Sequence, residues 1–326
     1  MSTETKNTRT SKDKVEPLSL SVVIPAYNEE GAVQETVDEL RAALDPAQIE
    51  YEIIIVDDNS KDETWRIAQE LARHNPHVRV VRRVGRRGLS SAVIEGFLVA
   101  KGDVLGVMDA DGQHDMSLLT KLYSAVKTNG GIAVGSRYTE GGSVGEWDER
   151  RYLMSRVATA MAISLCTVKV NDPMSGFFAV DRKTFESSLN KLNPMGFKIL
   201  LDILVHAPKD TQVEEIPFTF AERLHGESKL SRRVQIEFLE YLYDVAFGRY
   251  VSLVFVEYCI VGALGVLVNF AAYHLLAQLV PPSNAIVPIV LLGAIEVSIL
   301  FNFFFNNFWT FAQEKLKGFS MVTGLI

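Results

Sequence analysis

The sequence predicts an α/β domain built on a mostly parallel sheet, followed by an interfacial helix and transmembrane α-helices. Three observations carry that expectation. Short aliphatic runs alternate with helical stretches from Leu18 to about Ser231. Those runs lack strict polar alternation, as expected of strands buried on both faces. Charge then vanishes: between Arg249 and Glu314 the only charged residues are Glu257 and Glu296. The hydrophobic content of 48% over 326 residues is therefore an average of two unlike parts, and a purely soluble enzyme is excluded.

In chain order, residues 1–17 are rich in Ser, Thr, Lys and Glu without an apolar run, which predicts a solvated, disordered tail and no signal peptide. Residues 20–25 (LSVVIP) form the first expected strand and residues 31–44 a helix; residues 51–58 (YEIIIVDD) form the second strand and residues 62–73 a helix. Further strands are expected at 78–82, 104–108 and 132–136, with a helix over 89–100. A domain of about 210 residues is within the normal range. Residues 232–250 follow, where Val234–Gly248 mixes Phe, Leu, Tyr and Val with Glu237, Glu240 and Asp244. That mixture suits an amphipathic helix at a membrane surface, or one whose apolar face packs only on the protein. Residues 251–280 and 285–311 each exceed the roughly 20 helical residues that cross a bilayer core of about 30 Å. Arg249 and the Lys315/Lys317 pair flank their outer ends and the loop between them is uncharged, so the positive-inside rule places the α/β domain in the cytoplasm.

A formal charge of −7 makes nucleic acid an unsuitable partner, and two cysteines, Cys166 and Cys259, build neither a disulfide framework nor a four-ligand zinc site. His74 and His77 read as solvated helix-end residues rather than metal ligands, and no GxxxxGK[ST] or HExxH pattern is present. Glu257 sits in the first turns of its apolar segment, where it can snorkel; Glu296 lies mid-segment and, with Asn302, Asn306 and Asn307, is expected to line a helix–helix contact.

The chemistry collects at three strand ends. The first runs into Pro25-Ala26-Tyr27-Asn28-Glu29, the second into Asp57-Asp58-Asn59-Ser60, and the fourth into Asp109-Ala110-Asp111-Gly112-Gln113-His114. In an open parallel sheet, ligands bind beyond the carboxyl ends of the strands. Asp57 or Asp62 alone reads as a helix cap. Asp109 and Asp111 together exceed what capping needs. Two such carboxylates beside an amide oxygen suit a hard cation, Mg²⁺ or Mn²⁺, that keeps positions open for phosphates.

VVIPAYNEE, IIIVDDNSKDETW, RRGLSSAVIEGF, GDVLGVMDADGQHD, AVGSRY, DPMSGFFAV, NPMGFKILLDIL and FAERLHGESKL together resemble the dolichol-phosphate mannose synthases. These are glycosyltransferase family 2 enzymes with a GT-A fold, a Rossmann-like and mostly parallel sheet. The resemblance covers residues 18–231 and continues over 251–326 as a GtrA-like transmembrane domain. Such regions generally have four spanning helices; two are complete before Ile326, so the region reads as naturally short or truncated, and any oligomer formed through it is left open.

The resemblance implies mannose transfer from GDP-mannose to dolichyl or another polyprenyl phosphate at a lipid bilayer. By that resemblance Pro25, Tyr27, Glu29, Val56 and Asp58 hold guanine and ribose, and Asp109, Ala110, Asp111 and Gln113 surround metal and diphosphate, with Asp109, Asp111 and Gln113 as the metal ligands. Arg137, Lys198, Arg223 and Lys229 contact substrate phosphates, and Arg151 is the expected acceptor-phosphate ligand unless it belongs to a solvated face with Asp148, Glu149 and Arg150. Asp111, Arg137, Arg151, Arg223 and Lys229 carry catalysis in this reading. The cations have a physical reason: a phosphate monoester with a second pKa near about 6 is already an anionic nucleophile, so the site must offset repulsion between two anions rather than supply a strong base.

Three other readings share parts of this pattern. A UDP-sugar donor would need the same machinery. A processive polysaccharide synthase expects a QxxRW motif, which the chain lacks. A transporter or scaffold would have no use for paired DxD carboxylates.

Overall fold

The computed structural model describes residues 19–110, 115–143, 149–194, 198–219, 232–281 and 287–311, without the side chains of residues 150–151 and 232–234. The tail expected over residues 1–17 lies outside that set, as do Asp111, Gln113, Arg223 and Lys229. The chain divides into two units, residues 1–235 and 236–326.

The first unit is a seven-stranded sheet. Its first four strands are β1 (Leu20–Ala26), β2 (Tyr51–Asp57), β3 (Val78–Arg82) and β4 (Val104–Val107), followed by β5 (Ile132–Ser136), β6 (Phe178–Asp181) and β7 (Val213–Pro217), in the spatial order β3-β2-β1-β4-β6-β5-β7. The five strands expected from sequence are present. Two were not foreseen, β6 and β7, and β6 runs antiparallel to both β4 and β5. The sheet is thus mostly, not wholly, parallel.

Helices α1 (Val33–Leu44), α2 (Thr64–His74) and α4 (Ser117–Asn129) share one core with alternate strand residues such as Val22, Ile24, Ile53 and Ile55. Helices α3 (Leu89–Val99), α6 (Arg182–Ser188) and α7 (Ile199–His206) pack on the other face against Val23, Ile54, Val56 and Phe178. Because successive side chains of a strand point to opposite faces, each central strand feeds both cores. This explains the unbroken apolar runs. Each fully buried Ile or Leu contributes about 1.5–3 kcal/mol of burial free energy. The remaining helix of this unit, α5 (Glu149–Leu165), turns Leu153, Met154, Val157, Met161 and Ile163 outward.

Helix α8 (Arg232–Phe247) spans the predicted amphipathic stretch; it buries Phe238 and Leu242 and exposes Ile236, Leu239 and Phe247. The second unit contains α9 (Leu253–Gln278) and α10 (Val287–Phe305), the latter ending in a π turn over Asn306–Thr310. Both are long and apolar enough to cross a membrane. They meet where Gly265 faces Asn302: a Cβ at Gly265 would run into the Asn302 side-chain amide, which would have to move aside. Glu257 does not simply snorkel, because the Trp309 indole hydrogen-bonds its carboxylate. The expected contact through Glu296 is corrected: Glu296 is exposed on α10, while Asn302 and the buried Asn307 lie inward. A helix turns about 100° per residue, so Glu296 lies roughly 160° round the helix from the fully buried Ala294.

Candidate active site

Strands β1, β2 and β4 run parallel and adjacent, so their carboxyl ends share one edge, as the strand-end carboxylates required. Pro25 pairs directly with Val56 in the β1–β2 register, which brings two expected nucleotide-binding residues side by side. Proline is tolerated there because it lies beyond Leu20–Val23, the part of β1 paired with β4.

The loops after β1 and β2 are laced together. Asn28, at a positive φ of 54°, receives the Lys61 N–H on its side-chain oxygen at 2.9 Å and donates its own N–H to Ser60 at 3.0 Å. The Glu29 N–H donates to the Thr64 hydroxyl at 2.8 Å. Asp57 and Asp62 fill the turn and capping roles: Asp57 accepts from Ser60 N–H at 3.3 Å, and Asp62 from Thr64 N–H at 3.1 Å. His74 is exposed as expected, but His77 is not a solvated residue; its ring stacks on Tyr51 at 4.5 Å.

Asp58 is held from two sides. Arg83, fully buried, donates to one oxygen at 2.6 Å, and the Gly88 N–H donates to the other at 2.8 Å. Gly88 has φ 139°, a conformation open to glycine, which explains the glycine of the RRGLSS run. Tyr27 lies under the Arg87 guanidinium, 4.3 Å from ring to carbon, and its hydroxyl accepts from Arg87 at 2.6 Å. Neither Arg83 nor Arg87 was picked out from the sequence. The RRVGRRG composition shows clustered cations but not which one turns inward.

Asp109, two residues past β4, is partly exposed, and a Cβ at Gly176 would come within 2.8 Å of its Oδ2, so the 171–176 loop packs closely on this carboxylate. Ala110 is buried, and its carbonyl accepts from the Thr36 hydroxyl at 3.4 Å. Arg137, just past β5, makes a bidentate pair with the fully buried Asp172, at 2.7 and 2.8 Å. Burial opposes its charge, but the bonds and attraction from Asp172 prevail and hold its pKa above the ordinary value. Lys198, at the start of α7, donates to the Met174 carbonyl at 3.4 Å. Burial, then repulsion from Arg137, pushes its pKa down to about 8 against the pull of Asp109 and Asp172. Arg137, Lys198 and Asp109 thus act on one another electrostatically. Arg151 lies on α5, with its side chain outside the described set.

Oxygen donors are the right chemistry for a hard divalent cation, and Asp109 fits it. Among the described residues no cluster of three His, Cys, Asp or Glu side chains is present, and the other expected ligands, Asp111 and Gln113, are not among them.

The model of "Glycosyl transferase family 2" matches residues 21–189, and that of the "GtrA/DPMS, transmembrane domain" matches residues 257–325. The chain belongs to glycosyl transferase family 2. Within the family it is 44% identical over 303 residues to a dolichol-phosphate mannosyltransferase of Pyrococcus furiosus, covering 91% of this chain and 82% of that one. A Saccharomyces cerevisiae protein of the same name is 37% identical over 268 residues, covering 79% and 98%. The fold of this family 2 chain is similar to that of glucosyl-3-phosphoglycerate synthase from Mycobacterium tuberculosis, solved with Mn²⁺, uridine-diphosphate and phosphoglyceric acid: TM-score 0.51, 21% identity, 72% and 79% coverage. It is also similar to the mannosyltransferase PcManGT from Pyrobaculum calidifontis, solved with GDP-Man and Mn²⁺: TM-score 0.50, 15% identity, 88% and 71% coverage. The transmembrane match and the two apolar helices make the chain membrane-associated.

Proposed function

We infer that this chain is a membrane-bound mannosyltransferase that moves mannose from GDP-mannose to dolichyl or another polyprenyl phosphate. The observation that carries this reading is the 44% identity to a dolichol-phosphate mannosyltransferase, sustained over 303 residues through both matched domains. The acidic sheet edge with Arg137 and Lys198 beside it is what such a reaction needs.

In this reading Pro25, Tyr27, Glu29, Val56 and Asp58 receive the nucleoside at the ends of β1 and β2. Asp109, with Asp111 and Gln113, would hold Mg²⁺ or Mn²⁺, which neutralises charge on the departing diphosphate when bound. Arg137 and Lys198, joined by Arg223 and Lys229, offset repulsion between the donor diphosphate and the acceptor phosphate, and Arg151 meets the acceptor. A phosphate oxygen of the lipid attacks the anomeric carbon, the bond to the diphosphate breaks, and configuration inverts. No proton need be removed from the nucleophile. The positive flanks Arg249, Lys315 and Lys317 favour a cytoplasmic catalytic unit, and α8 at the bilayer surface would bring it to its lipid substrate.

The test is a transfer assay on the purified full chain in detergent, with dolichyl phosphate, Mg²⁺ or Mn²⁺, and labelled GDP-mannose, UDP-glucose or UDP-GlcNAc in parallel. Metal-dependent label in the lipid phase from GDP-mannose alone is expected. Lipid label from a UDP-sugar would overturn the donor assignment and keep the chemistry; no lipid product from any donor would overturn the reading.

A further inference from the structure

Resting on the transferase reading above, we propose that the loop over residues 171–176, Asn-Asp-Pro-Met-Ser-Gly, is the positioning element of the phosphate site, and that Asp172 acts by orienting Arg137. Three groups assigned to substrate come from three different elements: Asp109 from just past β4, Arg137 from the end of β5, and Lys198 from the start of α7. All three touch this one loop. Gly176 packs against the Asp109 carboxylate, Asp172 holds Arg137, and the Met174 carbonyl accepts from Lys198.

Asp172 is the centre of the arrangement. Its Oδ2 accepts from both the backbone N–H of Arg137, at 3.0 Å, and its Nε, at 2.7 Å, while Oδ1 accepts from Nη2 at 2.8 Å. A counter-charge anywhere nearby would offset the burial of a guanidinium. Two parallel bonds plus one to the backbone do more, because they fix the plane of the group and the chain that carries it. Two of the five N–H donors of Arg137 are given to Asp172, so the orientation of the rest is set before substrate arrives. Charge that needs no reorientation during reaction is the kind that stabilises a transition state.

The loop itself is tied to the neighbouring strands. Glu215 of β7 accepts the Asp172 N–H at 3.0 Å, the Asn171 N–H at 2.8 Å and the Asn171 side-chain amide at 2.7 Å. Ser175 donates its hydroxyl to the Gly135 carbonyl at 2.7 Å and receives the Phe177 N–H at 3.2 Å, binding the loop to β5 and β6. Asp172 is therefore a positioning residue, and Glu215 supports it.

The test is a double-mutant cycle on the full chain, with initial rates measured over donor and lipid-phosphate concentrations. Asp172→Asn keeps the size and one acceptor oxygen but cannot hold both guanidinium donors. Its kcat should fall about 10²-fold with a smaller change in donor KM, the scale of a roughly 1 Å misplacement. In an Arg137→Gln background the same substitution should cost less than about 3-fold, since the group it orients is gone. Should Asp172→Asn fail to fold, Glu215→Gln loosens the anchor without touching Arg137, and its smaller loss of kcat should likewise vanish beside Arg137→Gln. Losses that multiply unchanged in the Arg137→Gln background would overturn the proposal while leaving the transferase reading intact. A wild-type chain that labels no lipid from any donor would sink that reading first.

Discussion

The two edges of the same sheet both carry buried charge, and they use it in opposite ways. At the amino edge Glu52, 3% exposed, accepts from the Ser21 hydroxyl at 2.7 Å, from the Lys101 N–H at 2.6 Å and from Arg79. Arg182 closes the same edge by donating to the carbonyls of Ala100 and Gly102. Each bond there runs between elements of the fold, and each charge meets an opposite charge or a backbone carbonyl. At the carboxyl edge Asp109 and Lys198 remain partly exposed, and Lys198 is held at a pKa of about 8 by burial and by its cationic neighbour Arg137. Burial of charge alone therefore does not mark a site. What separates the two edges is whether like charges, here Arg137 and Lys198, are forced together.

That contrast breaks most visibly by neutralising one acid at each edge. Asp109→Asn should lower lipid-linked transfer about 10³-fold, the scale of losing one group that stabilises developing charge, with little change in Tm; rates at saturating Mn²⁺ and thermal unfolding check the two halves. Glu52→Ala should do the reverse. It leaves Ser21, Lys101 N–H and Arg79 without their acceptor and should cost roughly 3 kcal/mol of stability, read from denaturant unfolding, while turnover per folded molecule holds. Its pH dependence has a definite sign. Burial alone would raise the Glu52 pKa, but the bonds from Arg79, Ser21 and Lys101 outweigh it and keep the folded value below 4.5. The stabilisation is then complete above about pH 4.5 and is lost as the pH falls through the lower folded value. Glu52→Gln should remove that acid limb of the stability curve.

The carboxyl edge was far more legible in the sequence than the groups that shape it. Strand ends announce themselves: IIIVDD and VLGVMDAD pass from buried aliphatics to acids within two residues, and parallel pairing brings them to one edge. The membrane helices were equally plain, because length and lack of charge suffice. Strand β6 was not, since Phe178–Asp181 is four residues long and nothing within it states its direction. The antiparallel placement of β6 is what delivers residues 171–176 to the site. Asp172 consequently escaped notice, its partner Arg137 being 35 residues away and joined to it only through tertiary structure. Arg83 escaped for a similar reason: its burial follows from Asp58, Ser91 and Glu95 converging on it.

A subtler way to separate geometry from stability is Gly176→Ala. The new methyl would meet a carboxylate tip, 2.8 Å from Oδ2 of Asp109, rather than backbone. The fold can give way by moving Asp109, so stability should change by less than about 1 kcal/mol while transfer falls roughly 10-fold and the metal concentration needed for half-maximal rate rises. A large drop in Tm with unchanged turnover would show that the contact serves packing and not the site.

The smallest expected effect is also the sharpest on what the carboxyl edge sacrifices. Lys198 is protonated below about pH 8, where the fold bears the cost of its burial beside Arg137. Its folded pKa lies below the ordinary 10.5, so the unfolded chain binds more protons between those values and this penalty is greatest at low pH, relaxing as pH rises above about 8. Lys198→Met should therefore raise Tm at pH 7, by about 2–4 °C for each kcal/mol relieved, while weakening donor use. The wild-type kcat/KM for donor should fall as pH rises through about 8, because that parameter reports the free enzyme and only the ammonium form pairs with phosphate. Lys198→Arg carries its charge past this range and should flatten the alkaline limb. A limb that stays near pH 8 in the arginine variant would assign it to another group, and Lys198 would join the structural charges of the opposite edge.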